Sequence, residues 1–295
     1  MLLVVICDCT SIRLDTGMLS PSSSALKGQP PCLLSLITPC LNADKTISHT
    51  LDSVQSVALE LSRHGWQLQH LLVDGGSSDN SLEKWHEYEK KQPNCQLLID
   101  VDGGPYQAMQ AGLLQAHGIY THILNADDYI VNPRLYVESL LKANSLSSVV
   151  IISSISYFKQ FSGQITRLWA VPALPTSFPD WQVQLAHGLH YPHPGFISCT
   201  KTYRAVGFDP TYRLSSDYKT MQLILQGLDD LDQVIVVREP LVAMAEGGLT
   251  AGLRSVLHGR TEIRRINREL GIKHSSYRRY LPKLFQIFFK HLNSF

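Results

Sequence analysis

At 295 residues, with 44% apolar and 17% charged side chains, the chain can build one large core and is too apolar for wholesale disorder. The formal net charge of +1 gives no polyelectrolyte signature, so nucleic acid is not an expected partner. The balance is uneven, however: ten Lys or Arg against Glu262 and Glu269 lie between Arg254 and Phe295, which leaves the body ahead of them net acidic.

In chain order, the opening MLLVVICDC is apolar for only seven residues and lacks a basic start. It is too short for a membrane span and poor as a signal peptide. Residues 15–32 are rich in Ser, Pro and Gly, and residues 1–32 read as a partly disordered leader. Leu33 to Thr38 reads as an apolar strand, followed by a helix from Ile47 with Leu51, Val54, Val57 and Leu61 on one face, capped by Asn42 or Asp44. Leu68 to Val73 is the next strand and runs into Asp74-Gly75-Gly76. A helix through Tyr88, begun at Ser78 or Asp79, leads to a strand at Cys95–Ile99. Helix 105–117, strand 120–124, helix 133–143 and strand 149–153 continue the alternation. Residues 157–195 hold many Pro, Gly and aromatic residues with little periodicity and read as irregular. Helical pieces follow at 200–206, 216–227 and 254–270, with a strand at 231–237. A last basic amphipathic stretch covers 277–292.

Strands alternating with helices of this length predict βαβ units and a mostly parallel sheet. Ligands of such sheets bind beyond the carboxyl ends of the strands. Here those ends carry Asp74, then Asp100 and Asp102, then Asp127 and Asp128. Acids gathered at one edge repel unless a cation or hydrogen-bond donors meet them, and an adjacent carboxylate pair suits Mn²⁺ or Mg²⁺ with phosphate oxygens. His187, His190 and His193 do not make a zinc site on this pattern, because Gly188, Pro192 and Pro194 interrupt any helix presenting them together. Neither a G-x-G-x-x-G fingerprint nor a P-loop follows the first strand. Asp217, after the polar turn Leu214-Ser215-Ser216, reads from spacing alone as a helix cap. Trp169, Trp181 and Tyr191 are candidates for stacking on a sugar ring, against the commoner alternative of core packing. The six cysteines form no CxxC pair and suit a reducing compartment.

Seven segments in order resemble the family 2 glycosyltransferases of the GT-A fold, most closely bacterial enzymes of capsular and colanic-acid-type polysaccharide biosynthesis. Thr38-Pro39-Cys40-Leu41-Asn42-Ala43 is similar to TPTFNA, and Asp74 to Ser81 to DGGSTDGT. Asp102 to Gly112 is similar to DKGIYDAMNKG, and Asn125-Ala126-Asp127-Asp128 to NSDD. His193 to Phe196 is similar to HQATF, Ser216 to Lys219 to ADYD, and Glu246 to Thr250 to a late GGIS segment.

The resemblance implies a GT-A, Rossmann-like, mixed and mostly parallel sheet flanked by helices, with a C-terminal helical tail. It implies a catalytic domain at 33–250, divided into a nucleotide-sugar half at 33–153 and an acceptor half at 154–250, with a basic tail at 251–295. The activity implied is metal-dependent, inverting transfer of a hexose-like sugar from a nucleoside-diphosphate sugar, UDP favoured, to a glycan or lipid-linked glycan. Thr38, Pro39, Asp74, Asp102 and Asp127 are then donor contacts, Asp128 the Mn²⁺ or Mg²⁺ ligand and Asp217 the catalytic base. Tyr106, Gln107, His193 and Glu246 are further acceptor or donor contacts. Gln107 departs from the family's Asp, Pro105 from its Ile, and Gly195 is expected to widen the HQATF-like segment. Gln107 keeps open a weak or inactive sugar-binding module; a sugar-phosphate nucleotidyltransferase is the other alternative. A cytoplasmic enzyme at the inner membrane face, docked through 277–292, is the expected setting, and a homo-oligomer is compatible with it.

Overall fold

The computed structural model describes residues 30–160, 162–247 and 253–273. Residues 1–29 of the expected leader and the 277–292 stretch lie outside these residues, whereas Cys32, expected in the leader, opens the first strand. The elements are β1 (Cys32–Cys40), α1 (Ile47–Arg63), β2 (Gln67–Asp74), α2 (Ser81–Glu89), β3 (Cys95–Leu98), α3 (Pro105–Gln115), β4 (Tyr120–Ile123) and β5 (Tyr129–Ile130). They continue with α4 (Pro133–Leu146), β6 (Val150–Phe158), β7 (Ile165–Trp169), α5 (Phe178–Ala186), β8 (Phe196–Cys199), α6 (Thr200–Val206), α7 (Ser216–Gln226), β9 (Val234–Ala245) and α8 (Leu253–Glu269).

The strands form one nine-stranded sheet in the order β3-β2-β1-β4-β8-β6-β9-β5, with β7 paired to β6. β1 runs parallel to β2 and β4, and β6 parallel to β9. β8 lies antiparallel between β4 and β6 and joins the two halves. The mixed, mostly parallel sheet expected from the sequence is therefore what forms. Alternation along β1 sends Leu34 and Leu36 to one face, against Val54 and Val57 of α1 and Tyr136 and Leu140 of α4. Ile37 faces the other side, where Met109 and Leu113 of α3 join Trp181 of α5, Tyr203 of α6 and Met221 of α7. Helices thus cover both faces.

Three expectations change. Segment 157–195 contains β7 and α5; Ser177 caps α5 by accepting the Asp180 N–H, and Trp181 and Leu185 bury its inner face. Thr46, not Asn42 or Asp44, stands at the N-cap of α1, and Asn80 at that of α2. Helix α8 is not a separate tail. Ile263 and Ile266 pack with Tyr212 and Tyr218, and Glu269 accepts hydrogen bonds from Tyr212 and from Lys219. The folded body therefore includes α8 and Lys273, whose N–H bonds the Ala186 carbonyl.

Two fully buried histidines tie strands to helices. The His70 ring is bonded at both nitrogens, Nε2 to Thr38 Oγ1 and Nδ1 to the Tyr88 hydroxyl, each at 2.9 Å. His122 Nε2 donates to the Pro194 carbonyl, which can only accept, so Nδ1 of the neutral ring accepts from Tyr136 Oη at 2.8 Å. Burial lowers His70 from 6.5 to about 3 and His122 to about 4. The unfolded chain takes up these protons near 6.5, whereas the folded chain resists them to far lower pH. The stabilisation is complete above 6.5 and is lost as pH falls through that window, at about 1.4 kcal/mol per pH unit for each ring. Denaturant midpoints should therefore drop between pH 6.5 and 4.5. His122→Gln should make that dependence shallower by about one proton; an unchanged slope would contradict the assignment.

Candidate active site

Three groups of expected residues emerge at the carboxyl edge of the sheet and beside it. The first is the loop pair after β1 and β2. Asp74 is 1% exposed, and its Oδ2 accepts the N–H of Gly76 and of Ser77, both at 2.8 Å. Its Oδ1 accepts the Ser77 hydroxyl at 2.5 Å. Both oxygens thus shape the turn after β2. Asn42 Oδ1 accepts the Ser78 N–H, while the Asn42 N–H donates to Ser77 Oγ, so the loops after β1 and β2 are latched together. The Thr38 side chain is buried and bonded to His70. Pro39 is half-buried at the strand end, and Asp102 is exposed beside Gly103 and Gly104. Gly103 has φ +104, and a Cβ there would meet Gln107 Cγ at 2.8 Å. The half-buried Gln107 therefore folds back over its own loop.

The second group is the acid pair after β4. Asp128 is 1% exposed; Oδ1 accepts the Ala245 N–H at 2.9 Å and Oδ2 accepts from Asn125 Nδ2 at 3.2 Å. It fastens the end of β9 to the β4 loop. Burial, then the charge of Asp127, pushes its carboxyl well above the usual range. Burial also raises Asp127, which is half-buried and bonded to its own N–H. Two neighbouring carboxylates, each disfavoured as an anion, suit a divalent cation. Among the described residues no three His, Cys, Asp or Glu side chains converge into a cage. A bound ion would be held by one carboxylate together with phosphate oxygens and water, the usual arrangement for Mg²⁺ at phosphates. Glu246 follows directly on β9: its N–H bonds the Phe158 carbonyl and its exposed carboxylate accepts from Thr166 Oγ1 at 2.6 Å.

The third group meets on the α3, α6 and α7 side. Tyr106, in the first turn of α3, donates its hydroxyl to Asp217 Oδ1 at 2.8 Å. Its ring stacks on Phe208 with centroids 6.0 Å apart. Asp217 is half-buried at the second position of α7, two residues past the N-cap, which Ser215 occupies. The helix field there favours an anion. His193 is 9% exposed, its Nε2 lies 3.4 Å from the Tyr203 hydroxyl, and burial lowers its basicity while Asp217 partly restores it.

His193 belongs to a short turn, His193–Gly195, that leads into β8. β8 pairs His122 with Ile197, and continuing that register sets the turn beside the strand end that carries Asn125–Asp128. Gly195 was expected to widen this segment, yet it makes it close-packed: a Cβ would stand 2.3 Å from the Ser153 carbonyl oxygen. Gly195→Ala should therefore cost about 1–3 kcal/mol through forced backbone movement. A thermal melt unchanged from native would contradict that packing.

Trp181 and Tyr191 are buried and bonded to each other, Nε1–H to hydroxyl at 2.9 Å, so both are core residues. Trp169 is half-buried, edge-on to His190. Reading the sequence did not single out Tyr203, Phe208, His122 or Glu262. Glu262, on α8, accepts the N–H groups of Arg213 and Leu214 and so braces the turn ahead of Asp217. None of these four stands in a recognisable spacing; only chain folding brings them in.

Residues 35–209 match the model of the family described as glycosyl transferase family 2. Glycosyltransferase EpsJ of Bacillus subtilis (strain 168) is 24% identical over 159 residues, covering 52% of this chain and 43% of that protein. The chain thus spans less than half the length of that curated relative. Crystal structures share the fold at lower identity. S. aureus TarS 1–349, in complex with UDP-GlcNAc, superposes with a TM-score of 0.56 at 18% identity over 76% of this chain and 60% of that one. Glucosyl-3-phosphoglycerate synthase from Mycobacterium tuberculosis, with Mn²⁺, UDP-Glc and phosphoglyceric acid, gives 0.53 at 16% identity over 80% of each chain. With a family match over more than half its length and the GT-A sheet in place, the chain belongs to glycosyl transferase family 2.

Proposed function

We propose that this glycosyltransferase moves a sugar from a UDP-sugar to a hydroxyl of a glycan or lipid-linked glycan, with inversion and with the help of Mn²⁺ or Mg²⁺. The observation that carries the reading is the half-buried Asp217 carboxylate. Tyr106 holds one of its oxygens, and no described residue holds the other. Structures of two neighbours hold UDP-sugars, one of them with Mn²⁺, which supports the donor class. On this reading the latched loops at 42, 76–78 and 100–104 receive the nucleotide, and Asp127 holds the metal. That duty moves from Asp128, whose two oxygens already accept protein hydrogen bonds. Bound there, the ion would stabilise the charge gathering on the leaving diphosphate.

The residues of the chain do the rest. Asp217 takes the proton of the acceptor hydroxyl, and the freed oxygen pair forms the bond to the anomeric carbon. The bond from that carbon to the diphosphate breaks, and its electron pair leaves on the phosphate oxygen. His193 is held neutral by burial and lies close enough to Asp217 to feel its charge. Docking at a membrane face through 277–292 belongs to the same reading. Among the described residues no helix is long and apolar enough to cross a membrane.

A melting-temperature panel tests the donor class. UDP-GlcNAc or UDP-glucose with Mn²⁺ should raise the melting temperature, because a ligand that binds only the native state stabilises it. No shift with either donor, with or without Mn²⁺, would contradict the reading.

A further inference from the structure

We propose that Tyr106 is the positioning residue of the reaction: its hydroxyl fixes Asp217 through Oδ1, so that Oδ2 is the oxygen that takes the acceptor proton. The inference rests on the reading of Asp217 as base and goes beyond it by naming the oxygen and the residue that selects it.

The bond is charge-assisted and nearly buried, with Tyr106 only 7% exposed. A phenol can rotate its proton toward either partner; here burial and the Asp217 charge both push the Tyr106 hydroxyl well above its ordinary value, so it stays a donor. Its ring cannot swing away, because Phe208 stacks against it and Tyr203 packs behind Phe208 with centroids 5.7 Å apart. The groups that act electrostatically here are His193 of the turn before β8, Tyr203 of α6 and Glu262 of α8. None of them hydrogen-bonds Asp217 among the described residues. Tyr106 is therefore the group that orients this carboxylate.

Placement gives the bond a second consequence. Tyr106 is the second residue of α3, directly after the Asp102-Gly103-Gly104 loop on the donor side, while Asp217 opens α7 on the acceptor side. One hydrogen bond spans 111 residues of sequence and joins the two halves at their reacting ends. A donor seated on the 102–104 loop thus bears on the aim of the base.

Tyr106→Phe removes one oxygen and keeps the stacked ring. Nucleoside diphosphate release from UDP-GlcNAc and UDP-glucose, with Mn²⁺ and water or glycan as acceptor, should slow by about 10- to 100-fold in kcat. Affinity for UDP with Mn²⁺ should stay within about twofold. The same change made in Asp217→Asn should slow release no further, because a residue that acts through another has nothing left to position.

A ligand-free readout accompanies these. In protein labelled with ¹³C at aspartate carboxyls, the Asp217 signal, assigned by its loss in Asp217→Asn, should move when the Tyr106 hydroxyl is removed. Native kcat in Tyr106→Phe, a multiplied loss in the double variant, a loss of UDP affinity, or an unmoved Asp217 signal each overturns the positioning role. If Asp217→Asn itself turns over at the native rate, the base reading falls and takes this inference with it. A dead Asp217→Asn beside a fully active Tyr106→Phe removes the inference alone.

Discussion

Asp217→Asn is expected to bind UDP-sugar donors with near-native affinity and to lose sugar transfer by about 10²–10⁴-fold. Asparagine has almost the shape of aspartate and still offers an oxygen to the Tyr106 hydroxyl, which donates to Oδ1 in the native protein. No cap is lost, since Ser215 stands at the N-cap of α7 and Asp217 lies inside the first turn. Stability should therefore stay close to native. What the amide cannot do is take a proton from an acceptor hydroxyl at neutral pH. Binding and transfer measured on one preparation separate the two roles. Transfer above about a tenth of the native rate would place the base elsewhere.

The second large effect lies at the acid pair, where the two members should fail differently. Asp127→Asn should fold normally and lose the Mn²⁺-dependent part of UDP affinity, because Asp127 is the half-buried member not bonded to another residue's side chain or N–H. Asp128→Ala should instead cost stability, about 1–3 kcal/mol, since the buried Ala245 N–H loses its acceptor. The folded fraction should keep most of its metal-dependent affinity. Calorimetric titration of UDP with and without Mn²⁺, beside denaturant melts of each variant, reads both quantities. Metal dependence retained in Asp127→Asn and lost in a well-folded Asp128 variant would return the ligand role to Asp128.

The contrast between Asp127 and Asp128 also marks what a sequence reveals. An adjacent acid pair after an apolar strand is legible as chemistry. Which member is buried depends on the Ala245 N–H, 117 residues away, and no local pattern encodes that. The bond between Tyr106 and Asp217 has the same character: both residues fall in legible motifs, but their meeting does not.

Within the fold, β1 is plain from its apolar run, because a strand buried on both faces needs no polar alternation. β8 escapes notice because it has four residues between a proline-bearing turn and a helix. Yet this short antiparallel strand joins the halves of the sheet and places His193. α5 hides for a related reason: only Trp181 and Leu185 are buried, too few to raise a period from its surroundings. Asp74 adds what its motif does not announce: three hydrogen bonds that organise its own turn.

The most direct test of the central claim is to follow UDP-GlcNAc and UDP-glucose with the native chain and Mn²⁺ by proton NMR, recording the first-formed anomer before it equilibrates. A base on one face of the sugar and a departing diphosphate on the other predict UDP release with the β-configured sugar as first product. The signal should need the metal and should vanish in Asp217→Asn. Release of neither sugar under any divalent ion, or an α-configured first product, would contradict the account.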